Sequence, residues 1–475
     1  MTQLRRSAKN SAVLIVGTIL NRLSFLVFFS LLARSLPQEE VGDFYFLFTI
    51  SSLFTIFSNF GLDVLTVREV AKRPEEIRWY YSNVALIKIV LSLFSVGATY
   101  LYLSVGGYSE TLVSLGVVSA FLTLANTSIA HTDSLYRGLE RFEFSAAAQV
   151  INAVMILLGG LLLIHPSAHL QEIMLFFVSV HLVTAILSHV PLLVRWQVRI
   201  GAIDFLHWRH LLKMSYPFII TSAIQVVYFR VDVLILSQML DNYAVASYGA
   251  AAKIIESYGI LPSILVASIY PTLSRQFENS RLQLQHTATI AIRYLLIVGV
   301  PISLFSFAAA PKIIDLFYGE KFVQSVQAFQ VLCFRAFSVF VTTLLGHLLF
   351  SANRQRTYMQ FSVVVLLLNV LLNVLLIPRF GFLGPAIAFS ISTAIGLFFH
   401  VYYAQKHVCP IQFGASLWKP FIVSVPVALL LHVSPFPLVV DIGVSLILFW
   451  IGIIMVKGLS DLEMRALKQL LKERG

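Results

Sequence analysis

The sequence predicts an all-α polytopic membrane protein with 14 transmembrane helices, and three observations carry that expectation. Only 12% of the 475 residues are charged and the mean hydropathy is +0.84, whereas a soluble domain carries about 25% charged residues. The apolar runs are continuous and near the ~20 residues that a spanning helix needs. A membrane barrel would instead show weak alternation over ~10-residue strands. The basic residues are also distributed asymmetrically. With the N-terminus in the cytoplasm, 25 of the 34 Lys and Arg fall on inside connections and four on outside ones, the bias that orients multi-pass proteins. Both termini are then cytoplasmic. The net charge of +11 is explained by anionic headgroups at the inner face rather than by nucleic acid.

The spans follow in order. The first, 10–34, comes after Arg5, Arg6 and Lys9 and is followed by many more, so it is read as a retained helix and not as a cleaved signal. A short acidic outer loop leads to 42–67, which ends at the basic turn of Arg68, Lys72, Arg73 and Arg78. Spans 79–103 and 111–135 lead to Arg137 and Arg141; 144–164 and 170–194 lead to Arg195. Residues 196–212 carry Trp196, Trp208 and several bases and read as an interfacial linker. Spans 213–239, 243–272, 287–310, 323–351, 357–377 and 382–404 complete a second set. Spans 418–434 and 437–456 have no counterpart in the first. The tail after 456 places Leu462, Leu467 and Leu470 or Leu471 on one face and bases on the other, a pattern that suits an amphipathic surface helix and equally an ordinary solvated tail.

The expected organisation is a six-helix bundle over 1–195, the linker, a second bundle over 213–407, two added helices over 408–456 and a cytoplasmic tail over 457–475. A weak internal repeat supports two halves. VGDFYFLFTISSLF (41–54) and VASYGAAAKIIESY (245–258) each follow an acidic outer loop, and each half opens with an arginine in mid-span, Arg22 and Arg230. Six helices per half gives both the same orientation, with a pseudo-two-fold along the membrane normal.

Five basic residues fall inside spans: Arg22, Lys88, Arg230, Lys253 and Arg335. The acids at comparable depth are Asp63, Asp232 and Glu256. A charge at bilayer depth costs at least ~2.5–3.5 kcal/mol, so it requires a partner or a task. If the halves pack face to face, these cations ring a cavity suited to a strong anion, with arginine matching phosphate oxygens as a two-pronged fork. Other readings stand beside this one. Lys253 and Glu256, at i,i+3, also suit a local pair. Lys88 also suits snorkelling toward the inner interface. Arg230 and Asp232, two apart, do not share a helix face. His181, His347 and His400 read as packing residues. Cys333 and Cys409 offer neither a disulfide framework nor metal spacing. No P-loop is present, and no metal, cofactor or catalytic site is expected.

FGLDVLTVREVAKRPEE (60–76) resembles a signature of the Wzx-like polysaccharide-unit flippases, within the multidrug/oligosaccharidyl-lipid/polysaccharide exporter superfamily. The matching residues are Gly61, Leu62, Asp63, Arg68, Glu69 and Ala71. The opening around NSAVLIVGTILNRLSF, the YFRVDVLILSQML stretch and LIPRFGFLGPAIAFSISTAIG resemble the same family, with Pro385 where a small residue is more usual. The resemblance implies two helix bundles around a V-shaped cationic cavity in a cell membrane. It implies movement of isoprenoid-(di)phosphate-linked oligosaccharides, as for O-antigen or capsule, from the cytoplasmic to the outer leaflet by alternating access. It further implies a non-enzymatic transporter, acting as a monomer beside glycan polymerase or assembly proteins. Arg22, Arg230, Lys88, Lys253 and Arg335 would hold the substrate. Asp63, Arg68, Glu69, Asp232 and Glu256 would serve gating or coupling to H+ or Na+, with helix-end anchoring as the plainer role for Asp63, Arg68 and Glu69. The rival readings are a lipid-linked peptidoglycan-precursor flippase, a multidrug antiporter and, less naturally given the short outer loops, a membrane glycan polymerase or ligase.

Overall fold

The computed structural model describes residues 2–458 apart from 166, 199, 200, 202, 412, 413, 415 and 416. Among the described residues the regular elements are helices: α1 (Thr2–Ser35), α2 (Gln38–Asn59), α3 (Leu62–Lys72), α4 (Ile77–Val105), α5 (Glu110–Gly138), α6 (Phe142–Leu163), α7 (Leu170–Arg195), α8 (Phe205–Met239), α9 (Asn242–Tyr258), α10 (Ile260–Asn279), α11 (Arg281–Ala308), α12 (Ala310–Tyr318), α13 (Ser325–Ser351), α14 (Gln355–Phe380), α15 (Leu383–His407), α16 (Lys419–His432) and α17 (Leu438–Met455). Among the described residues, thirteen segments are long and apolar enough to cross a bilayer. The expected span at 418–434 is the exception. Its helix α16 has 14 residues, about 21 Å of rise against a hydrocarbon core of ~30 Å. The tail from 459 onward lies outside the described residues.

One expected span is broken. The run 42–67 divides into α2 and α3 where Phe60 and Gly61 take left-handed φ values of 46° and 73°. The run 243–272 is marked off at Gly259 into α9 and α10, but Gly259 keeps right-handed helical angles (φ −63°, ψ −13°) and Asn242–Asn279 runs on as one apolar segment. Interrupted helices persist at membrane depth only where protein or a polar cavity satisfies the freed backbone. Gly61 meets a second demand. A Cβ there would lie 2.8 Å from Phe218 Cβ and from the Ser215 carbonyl oxygen, so both the backbone turn and the approach of α8 exclude a side chain.

The chain forms two compact units, 1–249 with 370–385, and 250–369 with 386–475. This division departs from the expected bundles because α8 packs along α2 and α3 and so belongs with the first unit. Residues 205–212, within the expected interfacial linker, are the opening turns of α8. Asn83 on α4 holds them, its Oδ1 accepting from the Asp204 N–H at 2.8 Å and from Trp208 Nε1 at 3.2 Å.

Inside the first unit, small hydroxyl residues let α2, α4 and α5 approach closely. Ser51 donates to the Ser119 carbonyl at 2.9 Å, Thr123 donates to the Ser51 carbonyl at 3.0 Å, and the Ser58 and Ser95 hydroxyls meet at 2.9 Å. Phe25, Phe28, Phe44, Phe48 and Phe177 form one aromatic core with centroids 4.9–6.3 Å apart. Leu62, Val84, Leu135 and Leu192 fill the other end. In the second unit, α10, α11, α13, α14 and α15 meet around Val266, Ile292, Leu296, Phe340, Leu344 and Phe361. The added helices α16 and α17 dock through Val423, Phe449 and Ile453 against Ile297. At one end of this hairpin the Lys312 ammonium donates to the carbonyls of Ser434 at 2.7 Å and Phe436 at 2.8 Å and to Asp441 Oδ2.

Candidate functional site

Arg230 and Arg22 both belong to the first unit, and an aromatic bridge relates them. Arg230 on α8 places its guanidinium carbon 5.6 Å from the ring centroid of Phe48 on α2, within cation–π range. Phe48 stacks on Phe25 of α1 at 4.9 Å. Arg22 precedes Phe25 by three residues, so the two share one face of α1, and Arg22 is exposed. The neighbouring face of α1 is fixed to α6: Thr18 donates to Gln149 Oε1 at 2.9 Å and Asn21 to Asn152 Oδ1 at 2.8 Å. The presentation of Arg22 is therefore set by a hydrogen-bonded seam. Phe25, Phe48, Gln149 and Asn152 were not singled out from sequence. The polar pair Gln149 and Asn152, in an otherwise apolar stretch at i,i+3, was the available signal.

Asp232 is buried. Its carboxylate accepts from the Tyr248 hydroxyl on α9 and from the Val233 N–H at 2.8 Å.

Lys88, 2% exposed, donates to Asp63 Oδ1 across the α3–α4 junction. The cation expected in the cavity thus forms an ion pair with the acid expected at the gate, and the left-handed turn at Gly61 starts α3 where Asp63 can reach it. Arg68 and Lys72 both donate to Glu69, at 2.7 and 3.2 Å. Burial works against ionisation of Glu69, but these two hydrogen bonds outweigh it and hold the carboxyl below its ordinary value.

In the second unit Lys253 pairs with Glu256 at 3.3 Å, the local i,i+3 arrangement. Arg335 is buried, with its guanidinium carbon 3.8 Å from the Phe389 ring centroid. The five cations therefore divide, Arg22, Lys88 and Arg230 in one unit and Lys253 and Arg335 in the other.

At the beginning of α2, the N-terminus of the repeat-equivalent α9 approaches closely. Gln38 Nε2 donates to Ser247 Oγ at 2.9 Å, Asn242 Nδ2 donates to Asp43 Oδ1, and Gly42 lies against the Asn242 backbone. VGDFY and VASYG, paired as a repeat in sequence, are thus packed on one another in space.

Comparison with known proteins agrees with this architecture. Residues 7–277 match the family model described as polysaccharide biosynthesis protein, and 217–375 match that described as MatE. The probable low-salt glycan biosynthesis flippase Agl15 of Haloferax volcanii is 21% identical over 405 residues, 84% of each chain. The capsular polysaccharide biosynthesis protein CapF of Staphylococcus aureus is 17% identical over 84% of this chain and 99% of its own. Among solved structures, the lipid II flippase MurJ in an inward closed conformation superposes with a TM-score of 0.76 at 16% identity, covering 94% of this chain and 99% of its own. An inward-facing multidrug resistance MATE family transporter of the MOP superfamily gives 0.60 at 14% identity, covering 81% and 94%. The fold is therefore MurJ- and MATE-like. Since the first family model spans more than half of the 475 residues, the chain belongs to the polysaccharide biosynthesis protein family of multi-pass membrane proteins.

Proposed function

We propose that this chain is a flippase that carries an isoprenoid-(di)phosphate-linked oligosaccharide from the cytoplasmic to the outer leaflet of a cell membrane by alternating access, with both termini cytoplasmic. The observation that carries the reading is the pair of mid-span arginines, Arg22 and Arg230, related through Phe25 and Phe48 in one unit. Phosphate oxygens are the natural counter-charge for such a pair, because guanidinium binds them by two parallel hydrogen bonds and gives up its hydration readily. The lipid tail stays in the bilayer, and the sugars travel in water beside the protein wall. Family membership, and the relative named as a probable glycan biosynthesis flippase, favour this substrate class. A multidrug antiporter for cationic drugs fits less well, because the bases inside spans, Arg22, Lys88, Arg230, Lys253 and Arg335, outnumber the acids at comparable depth, Asp63, Asp232 and Glu256. Lys88, already paired with Asp63, acts as a support for the helices of the first unit; Lys253, paired with Glu256, and Arg335 belong to the second unit. The Asp63–Lys88 and Arg68–Glu69–Lys72 groups serve the inner end of the path. Membrane potential acts on the anionic headgroup at ~2.3 kcal/mol per charge per 100 mV.

The test is reconstitution into vesicles with a lipid-diphosphate oligosaccharide and measurement of leaflet exchange. Exchange that is lost in Arg22→Ala and Arg230→Ala supports the proposal. Exchange only of a lipid-linked peptidoglycan precursor would favour that substrate. Uptake of a cationic dye without lipid exchange would favour the antiporter.

A further inference from the structure

The first unit contains a second polar cluster, separate from the Arg22–Arg230 pair. His189 on α7 is held between two hydroxyls, Tyr81 Oη at 3.0 Å from Nδ1 and Ser128 Oγ at 2.9 Å from Nε2. His131 on α5 sets Nε2 3.1 Å from the Tyr81 carbonyl oxygen. A carbonyl only accepts, so Nε2 of His131 carries the hydrogen and Nδ1 is a bare lone pair. That Nδ1 is buried with no hydrogen-bond partner, on a residue 1% exposed. Lys88 and His189 are the groups that act on His131 electrostatically, and Lys88 is bound to Asp63. The Asp63 side chain is 20% exposed and that of Lys88 3%, so the acid is the open end of the pair.

We propose that this cluster is a proton-binding site that takes up one proton and carries the charge on His189. The hydroxyls decide the location. Tyr81 and Ser128 can each donate or accept, so either neutral tautomer and the imidazolium are all satisfied at the same heavy-atom positions. On protonation the new N–H donates to whichever hydroxyl had been donating to that nitrogen, and the hydroxyl hydrogen turns away. No other bond changes. His131 has a vacant lone pair but faces the Lys88 ammonium, and two adjacent imidazoles do not both become charged readily. The charge therefore rests on His189, with the Asp63 carboxylate balancing Lys88 nearby.

Tyr81 on α4 and Ser128 on α5 bond to His189, His131 on α5 is its titratable neighbour, and the Lys88–Asp63 pair of α4 and α3 reaches the cluster through His131. The α6 neighbour Asn152 is engaged with Thr184 at 3.1 Å. On α7 itself His181 is bonded to the Phe177 carbonyl at 2.8 Å. The Asp133–Arg137 pair at 2.7 Å lies beyond His131 on α5. His189 is six residues from the Arg195 end of α7, about 9 Å along the axis. That depth is within reach of water from the side proposed to be cytoplasmic. If the chain is the flippase proposed above, this site supplies its coupling ion, a proton; the proton site itself does not depend on that reading.

The experiment is nitrogen-15 histidine NMR of the full chain in lipid nanodiscs, titrated over about pH 4.5 to 8.5. His189 is assigned by its loss in His189→Gln, and His131 likewise. The expected result is conversion of His189 to imidazolium within that range, while His131 remains neutral and protonated on Nε2. In Asp63→Asn the His189 transition should move to lower pH by roughly half a unit or more, because Lys88 is then unbalanced. A wild-type His189 that stays neutral throughout would overturn the proposal, and so would a transition that Asp63→Asn does not move, since that describes an isolated histidine. Vesicle exchange under an imposed pH gradient is read separately. Loss of exchange with titration intact rejects the flippase assignment, and exchange with no titration rejects the proton site.

Discussion

Replacing Gly42 with alanine should loosen the junction between α2 and α9. A Cβ at Gly42 would lie 1.9 Å from the Asn242 carbonyl oxygen, 2.8 Å from its carbon and 3.2 Å from the Ala246 nitrogen. All three are backbone atoms, so no side chain can rotate aside. Restoring a tolerable 3 Å contact requires the helix ends to part by roughly 1 Å, and overpacking of this kind costs typically ~1–3 kcal/mol. The cost applies only while the junction is closed, so the variant should favour conformations in which α2 and α9 have separated. One kcal/mol is about a fivefold change in such a ratio. The readout is cross-linking between cysteines at Gln38 and Ser247, whose native side chains are hydrogen-bonded, on a chain whose own two cysteines are buried. Yield with a short bifunctional thiol reagent should fall about fivefold or more in the Gly42→Ala background. Unchanged yield together with unchanged thermal stability would refute the reasoning, since it would mean that the junction absorbs a methyl group without separating.

Further outcomes follow from the charged groups. Arg230→Lys should recover only part of the exchange lost in Arg230→Ala, because the fork is gone while the charge remains; substrate titration of exchange rates shows this. Phe48→Leu should weaken exchange by about two- to fivefold, in line with the ~0.5–1 kcal/mol of a cation–π contact, and leave detergent-extracted protein folded by circular dichroism. Lys88→Ala should destabilise by ~3–5 kcal/mol because Asp63 is left uncompensated, and adding Asp63→Ala should recover part of that loss; thermal unfolding of the single and double variants measures both. Lys312→Met should raise hydrogen exchange over 434–441 with little change elsewhere.

Much of the fold was legible because membrane spans are written in local composition. A run such as 357–377 needs no tertiary knowledge to be placed, and the basic turns orient it. The break was hidden for a physical reason. Phe60 adopts a left-handed conformation that its side chain does not advertise, and only Gly61 beside it hinted at a turn. The Lys88–Asp63 pair was hidden differently. Its members are 25 residues apart, and they meet only because α3 restarts after that turn and runs beside α4. The i,i+3 pair of Lys253 and Glu256 was legible because one helix suffices to form it. Arg22 and Arg230 were recognisable as costly residues. Their relation through Phe25 and Phe48 was not, because the phenylalanines are indistinguishable in sequence from the many others of an apolar span.

The shortness of α16 has a consequence for the surrounding lipid. Its final residues run into the loop that Lys312 grips through Ser434, Phe436 and Asp441, so that end cannot slide to share the shortfall. The deficit of about 9 Å relative to the hydrocarbon thickness then gathers at the opposite end, beside Trp418 and Lys419, where Lys419 is tied to the Lys457 carbonyl at 2.6 Å. Headgroups and water must dip toward that end, or the bilayer must thin around it, at a cost that grows with lipid chain length. The protein should accordingly sort into, and work best in, thinner membranes, with the α16–α17 hairpin as the part that senses thickness.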